Sequence, residues 1–181
     1  MIRAALLVAA LVPWTAWTQP TTYRIDSART YAEFEVGHLG VFRAQGRFPD
    51  VTGSLRYDAV AQSGAVDLAI PASSVATGWE TRDAFLRGTG MFDAAHFPSI
   101  RFTSRRFEFE GGRLARVQGD LTVRDVTHPV TLRVTSLHCE SDACVAEASG
   151  AIRRREFAMD AWWPLIADDV QLVFRLAAVK E

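Results

Sequence analysis

The strongest constraint on the fold is an alternation of apolar and polar residues that recurs along most of the chain. Between Val117 and Val123, every second residue is valine, glycine or leucine, and the residues between them are polar. The same pattern occupies the segments 31–36, 65–70, 100–103, 107–110, 130–135 and 170–176. Successive side chains of a β-strand point to opposite faces, so this pattern predicts strands with one buried face.

The alternation shifts by one residue between Phe102 and Phe107, at Arg105-Arg106. A β-bulge adds one residue to a strand and would return both phenylalanines to the same face. We therefore expect a bulge within this strand.

Turn-forming pairs such as Gly111-Gly112 and Ser141-Asp142 separate many of the segments. Short connections favour antiparallel hairpins over crossover connections. About eight to ten strands with one apolar face each must close or stack to bury that face. The sequence therefore predicts an all-β fold, an antiparallel β-barrel of about eight strands. A two-sheet sandwich is the alternative.

One helix is expected between strands, over residues 78–87. Thr77 precedes Glu80 by three residues, which is the pattern of a capping box. Asp83 and Arg87 have the spacing of a favourable ion pair on a helix surface. Gly88 follows, as glycine often does at a helix end.

The amino terminus has the layout of a secretory signal peptide over residues 1–18. Arg3 precedes an unbroken apolar run over residues 4–12, and Ala16 and Thr18 place small residues before a cleavage site. This run is much shorter than the roughly 20 residues that span a bilayer, which disfavours the alternative of a membrane anchor. We expect cleavage after Thr18 and a single periplasmic or secreted domain over residues 19–181.

Composition narrows the range of partners. Lysine plus arginine total 20 and aspartate plus glutamate total 21, a net charge of −1. This balance argues against binding nucleic acid through a cationic face. The chain contains 11 phenylalanines, a surplus that needs an apolar environment.

Cys139 and Cys144 are the two cysteines of the chain, and polar residues separate them. In an oxidising compartment this spacing favours a disulfide across a hairpin end. A metal site or a redox-active pair is a weaker interpretation, because further ligands and the C-x-x-C spacing are both missing.

The sequence lacks the common motifs of catalysis, including a nucleophile elbow, a phosphate-binding glycine loop and a zinc-protease helix. Its four histidines are scattered singly. We therefore expect no catalytic residue, no metal site and no required cofactor. A barrel enzyme, an isomerase or hydrolase of an apolar substrate, is the alternative, and it would need His38 or His96 beside a carboxylate in a cavity.

An ordered set of motifs resembles the YceI-like family of exported bacterial proteins. In chain order they are Tyr23–Asp26, Phe34–Gly40, Gly46–Phe48, Ala72–Thr77, Arg82–Arg87, Phe92-Asp93, Phe97–Ser104, Gly119–Val123, Val126–Val130, Arg154–Met159 and Asp169–Leu172. The resemblance covers nearly all of the chain after the predicted leader. It implies a lipocalin-like antiparallel β-barrel with an elongated apolar interior. Some members of the family hold a polyisoprenoid lipid there, such as an isoprenoid quinone or a prenyl pyrophosphate.

The chain departs from the family pattern at several positions. Arg29-Thr30 stands where the family usually has His-Ser, and Phe85 stands where it usually has His. Gly90–Phe92 replaces the usual Asp-Phe-Phe, and Ala158 replaces a usual glycine. If the family's histidines contact a head group, this chain has a different head-group preference.

These considerations predict an exported protein that carries or sequesters a polyisoprenoid-type lipid. Alternation assigns the pocket lining to Phe34, Val36, Val66, Leu68, Ile70, Phe102, Leu121, Val123, Leu132, Phe174 and Leu176. Arg82, Asp83 and Arg87 on the expected helix are the head-group candidates, with an ordinary surface ion pair between Asp83 and Arg87 as the alternative. A non-catalytic interaction module with a packed barrel also remains open, as does the oligomeric state, with a homodimer as one option.

Overall fold

A computed structural model describes residues 20–181, and the predicted signal peptide lies outside these residues. Ten strands and one α-helix make up most of the described chain. The strands are β1 (Thr21–Ile25), β2 (Tyr31–His38), β3 (Phe42–Phe48), β4 (Thr52–Asp58), β5 (Ser63–Pro71), β6 (Ser99–Glu110), β7 (Arg113–Val123), β8 (Val126–Cys139), β9 (Ala143–Arg153) and β10 (Ile166–Lys180). The helix is α1 (Glu80–Arg87), and 3₁₀ turns occupy Ser27–Arg29, Ala72–Ser74 and Arg154–Phe157.

The strands form one antiparallel sheet that closes on itself. Its order is β1-β4-β5-β6-β7-β8-β9-β10, and β1 pairs back with β10 to complete an eight-strand ring. Strands β2 and β3 extend the wall toward the β2–β3 turn, past the ends of β1 and β4. Strand β2 pairs with the first part of β10, and β3 pairs with β2. The predicted β-barrel with one short helix is confirmed, and the sandwich alternative is wrong.

The two ends of the barrel differ in their connections. One end, here called the mouth end, carries the β2–β3 turn, the long β5–β6 connection with α1, and the β9–β10 connection. The other, here called the disulfide end, carries the β4–β5, β6–β7 and β8–β9 turns. There Cys139 and Cys144 face each other across the β8–β9 hairpin and form the predicted disulfide.

At the mouth end the wall is not a continuous ladder. Strand β3 pairs with β2 and meets the β5–β6 connection through a single bridge between Arg47 and Ala76. The connection over residues 72–98, here called the cover, lies across this gap and turns Leu86, Met91 and Phe92 inward.

The helix is shorter than predicted because its first turn is organised differently. It begins at Glu80, and Trp79 at the preceding position provides no side-chain cap. Thr77 instead donates its backbone N–H (2.8 Å) and its hydroxyl (2.5 Å) to the buried carboxylate of Asp83. The predicted capping box is therefore wrong, whereas Gly88 ends the helix as expected.

Glycines within strands provide space for the large apolar side chains of the interior. A Cβ on Gly119 would lie 2.6 Å from the ring of Phe102, and one on Gly46 would lie 2.4 Å from the ring of Phe34. The rings thus occupy the space beside glycines of neighbouring strands. The expected bulge also forms, since the β6–β7 register shifts between Ser104 and Arg106.

Candidate functional site

The barrel encloses an upper cavity near the mouth end with a volume of about 90 Å³ and an apolar surface. Alternate residues in the mouth-end parts of β2, β6, β7 and β10 contribute to it, because alternation turns those side chains inward. The cover adds three apolar side chains to the wall. The principal lining residues are Phe34, Val36, Phe48, Ile70, Leu86, Met91, Phe92, Ile100, Phe102, Leu121, Val123, Ile152, Met159, Ile166, Val170, Leu172 and Phe174.

A separate lower cavity of about 50 Å³ lies toward the disulfide end, and its surface is almost entirely apolar. Its principal lining residues are Ile25, Leu55, Tyr57, Val66, Leu68, Phe102, Phe107, Leu114, Val117, Leu132, Val134, Leu137, Ala146, Ala148, Phe174 and Leu176. The disulfided Cys144 also borders it. Burial raises the pKa of the Tyr57 hydroxyl, which favours its neutral form beside this apolar space.

The structure places all eleven predicted lining residues against one of these cavities. Phe34, Val36, Ile70, Leu121 and Val123 border the upper cavity. Val66, Leu68, Leu132 and Leu176 border the lower one, and Phe102 and Phe174 border both. Their contact with a lipid stays a prediction.

Aromatic rings occupy much of the upper interior. Phe34, Phe48 and Phe92 form a cluster with ring centroids 5.2 to 6.4 Å apart. A cavity of roughly 150 Å³ accommodates benzene. The upper cavity of about 90 Å³ is smaller than this, so a longer apolar chain would fit only if these side chains moved aside.

A wider groove of about 540 Å³ opens at the mouth end, between α1, β2 and the β9–β10 connection. Five residues line both this mouth and the upper cavity, namely Phe34, Val36, Leu86, Met91 and Ile166. The mouth also contains polar groups from His38, Gln45, Thr77, Thr81 and Arg82. The mouth and the upper cavity are therefore adjacent, and apolar side chains shared by both lie between them.

Large exposed apolar side chains surround the mouth. Trp79 is 64% exposed and Trp162 is 61% exposed. Phe85 packs edge-on against Trp162 with 5.8 Å between ring centroids. This contact joins α1 to the β9–β10 connection. Phe85 stands at the position where the family resemblance leads one to expect a histidine.

The three head-group candidates separate in the structure. Arg82 lines the mouth, donates to the carbonyl of Thr77 (2.9 Å) and lies over the ring of Trp79. Asp83 is 6% exposed, and its carboxylate accepts a hydrogen bond from the backbone N–H of Thr77. A buried carboxylate held in this way positions the helix and does not face the mouth.

Arg87 turns away from the mouth. It donates to the carbonyl of Ser73 (3.0 Å) and pairs with Glu80 (3.2 Å). The alternative of an ion pair with Asp83 is also wrong, because Thr77 occupies that carboxylate. Of the three candidates, only Arg82 therefore remains available to a head group.

The run Arg153–Arg155 suggests either an anion site or a solvated strand end with one inward arginine, and the structure shows that Arg154 is the inward one, 2% exposed and bordering the upper cavity. Its guanidinium donates to the carbonyls of Ala167 (2.8 Å), Ile166 (3.0 Å) and Met159. Burial lowers the pKa of this guanidinium, whereas the nearby Asp168 and Asp160 oppose that shift. Arg154 thus fastens the β9–β10 connection to the start of β10. Alternation was the signal that could have identified it, because Ile152 faces inward and Arg154 lies two residues further along the chain.

The departures at Arg29-Thr30 lie outside both cavities. Arg29 pairs with Asp26 (2.7 Å) on the surface, and its bond lowers the pKa of that carboxyl. The hydroxyl of Thr30 accepts from the backbone N–H of Ala177 (3.0 Å) and joins β10 to the β1–β2 connection. Ala158 adopts a positive φ of 56°, a conformation that suits the family's usual glycine.

The enzyme alternative predicts a histidine beside a carboxylate in a cavity. His38 lies at the mouth, where none of the lining side chains among residues 20–181 is a carboxylate. His96 bonds Asp93 (2.8 Å) but is largely exposed and lines neither cavity. In the described part of the chain, no group of three or more potential metal ligands occurs. Nor does any helix described there have the length and apolarity needed to cross a membrane.

Comparison of the sequence with known proteins identifies a YceI-like domain over residues 23–178. A UPF0312 protein from Shewanella denitrificans is 32% identical over 161 residues, which cover 87% of this chain and 84% of the relative. Protein YceI from Salmonella arizonae is 29% identical over 182 residues, which cover 96% of this chain and 95% of the relative.

Solved structures share the fold. BcnA from Burkholderia cenocepacia superposes with a TM-score of 0.77 at 23% identity, over 85% of this chain and 99% of that one. A polyisoprenoid-binding domain from Saccharophagus degradans, implicated in plant cell wall breakdown, gives a TM-score of 0.71 at 16% identity, over 89% of this chain and 99% of that domain. The domain match spans nearly all of the described chain, and the barrel has the expected form. The chain is therefore a member of the YceI-like family.

Proposed function

We propose that this protein is an exported, non-catalytic carrier that holds an isoprenoid lipid, with the tail in the barrel and the head group at the mouth. The observation that carries the proposal is the apolar upper cavity, which shares five apolar lining residues with the mouth. The Saccharophagus degradans domain, named for polyisoprenoid binding, supports it through a shared fold.

Burial of the tail accounts for affinity. Each buried carbon contributes roughly 0.8 kcal/mol, so a tail of about 20 carbons contributes roughly 16 kcal/mol before costs. Ordering a flexible tail and restricting its motion offset much of this gain. The lining residues Phe34, Val36 and Leu121 offer apolar area alone, and selectivity among lipids therefore depends on the mouth.

The polar groups of the mouth favour an uncharged head group, such as a quinone. A pyrophosphate is best bound by several cationic donors. Arg87 is directed toward Ser73 and Glu80, which leaves Arg82 as the arginine that lines the mouth. Thr81 offers a neutral hydroxyl at the mouth to a quinone oxygen, whereas Gln45 and Thr77 donate to Glu35 and Asp83.

Lipid extraction from the purified protein, followed by mass spectrometry, tests the proposal. We expect an isoprenoid lipid to copurify, and quinones and prenyl phosphates to bind on titration, with the quinone bound more tightly. If neither class copurifies or binds, the proposal is wrong.

A pair of matched variants tests the site itself. Val36 lines the mouth and the upper cavity, whereas Val173 lies on the outer face of β10 and is 45% exposed. A carboxylate in an apolar pocket is strongly unfavourable, so we expect Val36→Asp to weaken quinone binding by roughly tenfold or more. Val173→Asp should bind as the unchanged protein does. Equal binding by both variants would place the ligand elsewhere.

Export is the second part of the proposal. Expression of the full chain with its leader should deliver a protein whose amino terminus is Gln19 to the periplasm. Its measured mass and cell fractionation test this directly. Retention of residues 1–18 on a cytoplasmic protein would contradict it.

A further inference from the structure

Two residues border both cavities, and they come from opposite walls. Phe102 lies on β6 and Phe174 lies on β10, four strands apart in the eight-strand ring. Both are buried, with exposures of 2% and 6%. Both residues therefore lie at the boundary between the upper and lower cavities.

The surroundings of the two rings differ. Phe102 stands between Leu68 and Leu121 on the neighbouring strands, and its ring lies over Gly119. Large neighbours on both sides hold a ring in one rotamer, because a packed interior leaves no space for another. The ring of Phe102 is therefore expected to keep one orientation at the boundary between the cavities.

Phe174 stands between two alanines. Its partner on β9 is Ala148 and its partner on β2 is Ala32, and both are buried inside the barrel. Paired residues of adjacent strands point to the same face of the sheet. The ring of Phe174 therefore has small neighbours on each side, over which it can turn toward the wall.

The level of these rings sets two tail lengths. From Ile166 to Phe174, the strand rises roughly 20 Å along the barrel axis, given about 3.3 Å per residue and a tilt of about 40°. From Phe174 to Lys180 the corresponding rise is roughly 15 Å. A short tail ends above the rings, and a long tail reaches the lower cavity only by passing them.

We propose that Phe102 and Phe174 form an internal gate, in which Phe174 turns to admit the distal isoprene units of long tails to the lower cavity. The lower cavity is then a second apolar site, and the gate sets the preference for tail length. This inference rests on the proposed function of isoprenoid binding.

Competition between two quinones tests the gate. One quinone carries two isoprene units and the other carries eight, on the same head group. Both are supplied from phosphatidylcholine vesicles, and the amounts bound are measured by mass spectrometry after the protein is separated. The ratio of long to short tail bound is the readout, because it cancels changes at the shared mouth.

Removal or restriction of the moving ring should shift this ratio in opposite directions. We expect Phe174→Ala to raise the ratio roughly tenfold, since a tenfold change corresponds to fewer than two buried carbons. Phe174→Leu should raise the ratio by a smaller factor, and it replaces the alanine variant in the test if that variant does not fold. Ala148→Val fills the space beside the ring, and should lower the ratio roughly tenfold.

Phe97→Ala is the matched control, because Phe97 is a half-buried phenylalanine that borders neither cavity nor the mouth. Its ratio should equal that of the unchanged protein. If the unchanged protein binds the short quinone and all variants give one ratio, the gate is wrong and the proposed function stands. If the unchanged protein binds neither quinone, both the gate and the proposed function are wrong.

Discussion

The mouth end and the disulfide end of this barrel enclose similar apolar cavities but are closed by different means. At the disulfide end, β1 pairs with both β4 and β10, so backbone hydrogen bonds run around the whole wall. At the mouth end, the cover replaces the ladder between β3 and β5, and a single bridge at Arg47 and Ala76 joins it to β3.

This difference indicates where the barrel can open. Separating paired strands breaks several backbone hydrogen bonds at once, whereas moving a covering segment disrupts mainly side-chain contacts. Leu86, Met91 and Phe92 belong to the cover and line the upper cavity. Ligand exchange through the mouth end therefore requires less disruption of the fold than exchange through the disulfide end.

The largest effect on this comparison is expected at Arg154. Arg154→Ala would leave three carbonyl groups without their donor and detach the β9–β10 connection from β10. We expect a loss of about 3 kcal/mol in the free energy of unfolding, measured by urea denaturation. Arg153→Ala, on the exposed neighbour, should change it by less than about 0.5 kcal/mol. Equal losses would show that the three bonds contribute little.

The disulfide should stabilise the other end without affecting ligand exchange. Cys139 and Cys144 are five residues apart, and closure of so short a loop contributes about 2 kcal/mol. The double variant Cys139→Ala/Cys144→Ala should lose that amount in thermal or urea unfolding. Its quinone dissociation rate should remain unchanged. Faster dissociation would mean that the disulfide end also controls exchange.

Asp83 offers a smaller change on the cover itself. Asp83→Ala removes the acceptor of two bonds from Thr77, and we expect a loss of about 1 to 2 kcal/mol in the free energy of unfolding. Because the helix borders the mouth, quinone dissociation should become faster. Glu80→Ala, which removes an exposed partner of Arg87, provides the control. A dissociation rate equal to that of Glu80→Ala would show that the helix does not control ligand exchange.

The smallest effect concerns the outer face of β2 and β3. Hydrogen bonds from Gln45 and Arg43 hold the pKa of the Glu35 carboxyl below its ordinary value of 4.5. A lowered pKa in the folded state contributes stability above the unfolded pKa, and this is lost as pH falls through the folded value. Thermal unfolding between about pH 6 and pH 3 should show a slightly weaker acid dependence for Glu35→Gln. An unchanged acid profile would contradict the assignment.

The sequence predicted the barrel wall well because alternation is a local property. Phe34, Phe102 and Phe174 face inward since strand geometry alone fixes their direction. The same reasoning could not reveal that Phe102 and Phe174 lie opposite each other, because that depends on the strand order of the closed ring.

The mouth was predicted less well because its contacts join distant segments. Helix spacing suggested a pair between Asp83 and Arg87, but Thr77 and the carbonyl of Ser73 compete for these side chains. The burial of Arg154 depends on carbonyls from another strand. Such partners cannot be chosen from residue spacing alone.

Amide hydrogen exchange with and without bound quinone tests whether the lipid enters through the mouth. We expect residues 72–98 to exchange faster than β1, β4 and the last part of β10 when no quinone is added. Bound quinone should slow exchange in residues 72–98 and in the β9–β10 connection by roughly tenfold or more. Protection confined to the turns of the disulfide end, or to the outer face of the barrel, would contradict entry of the lipid through the mouth.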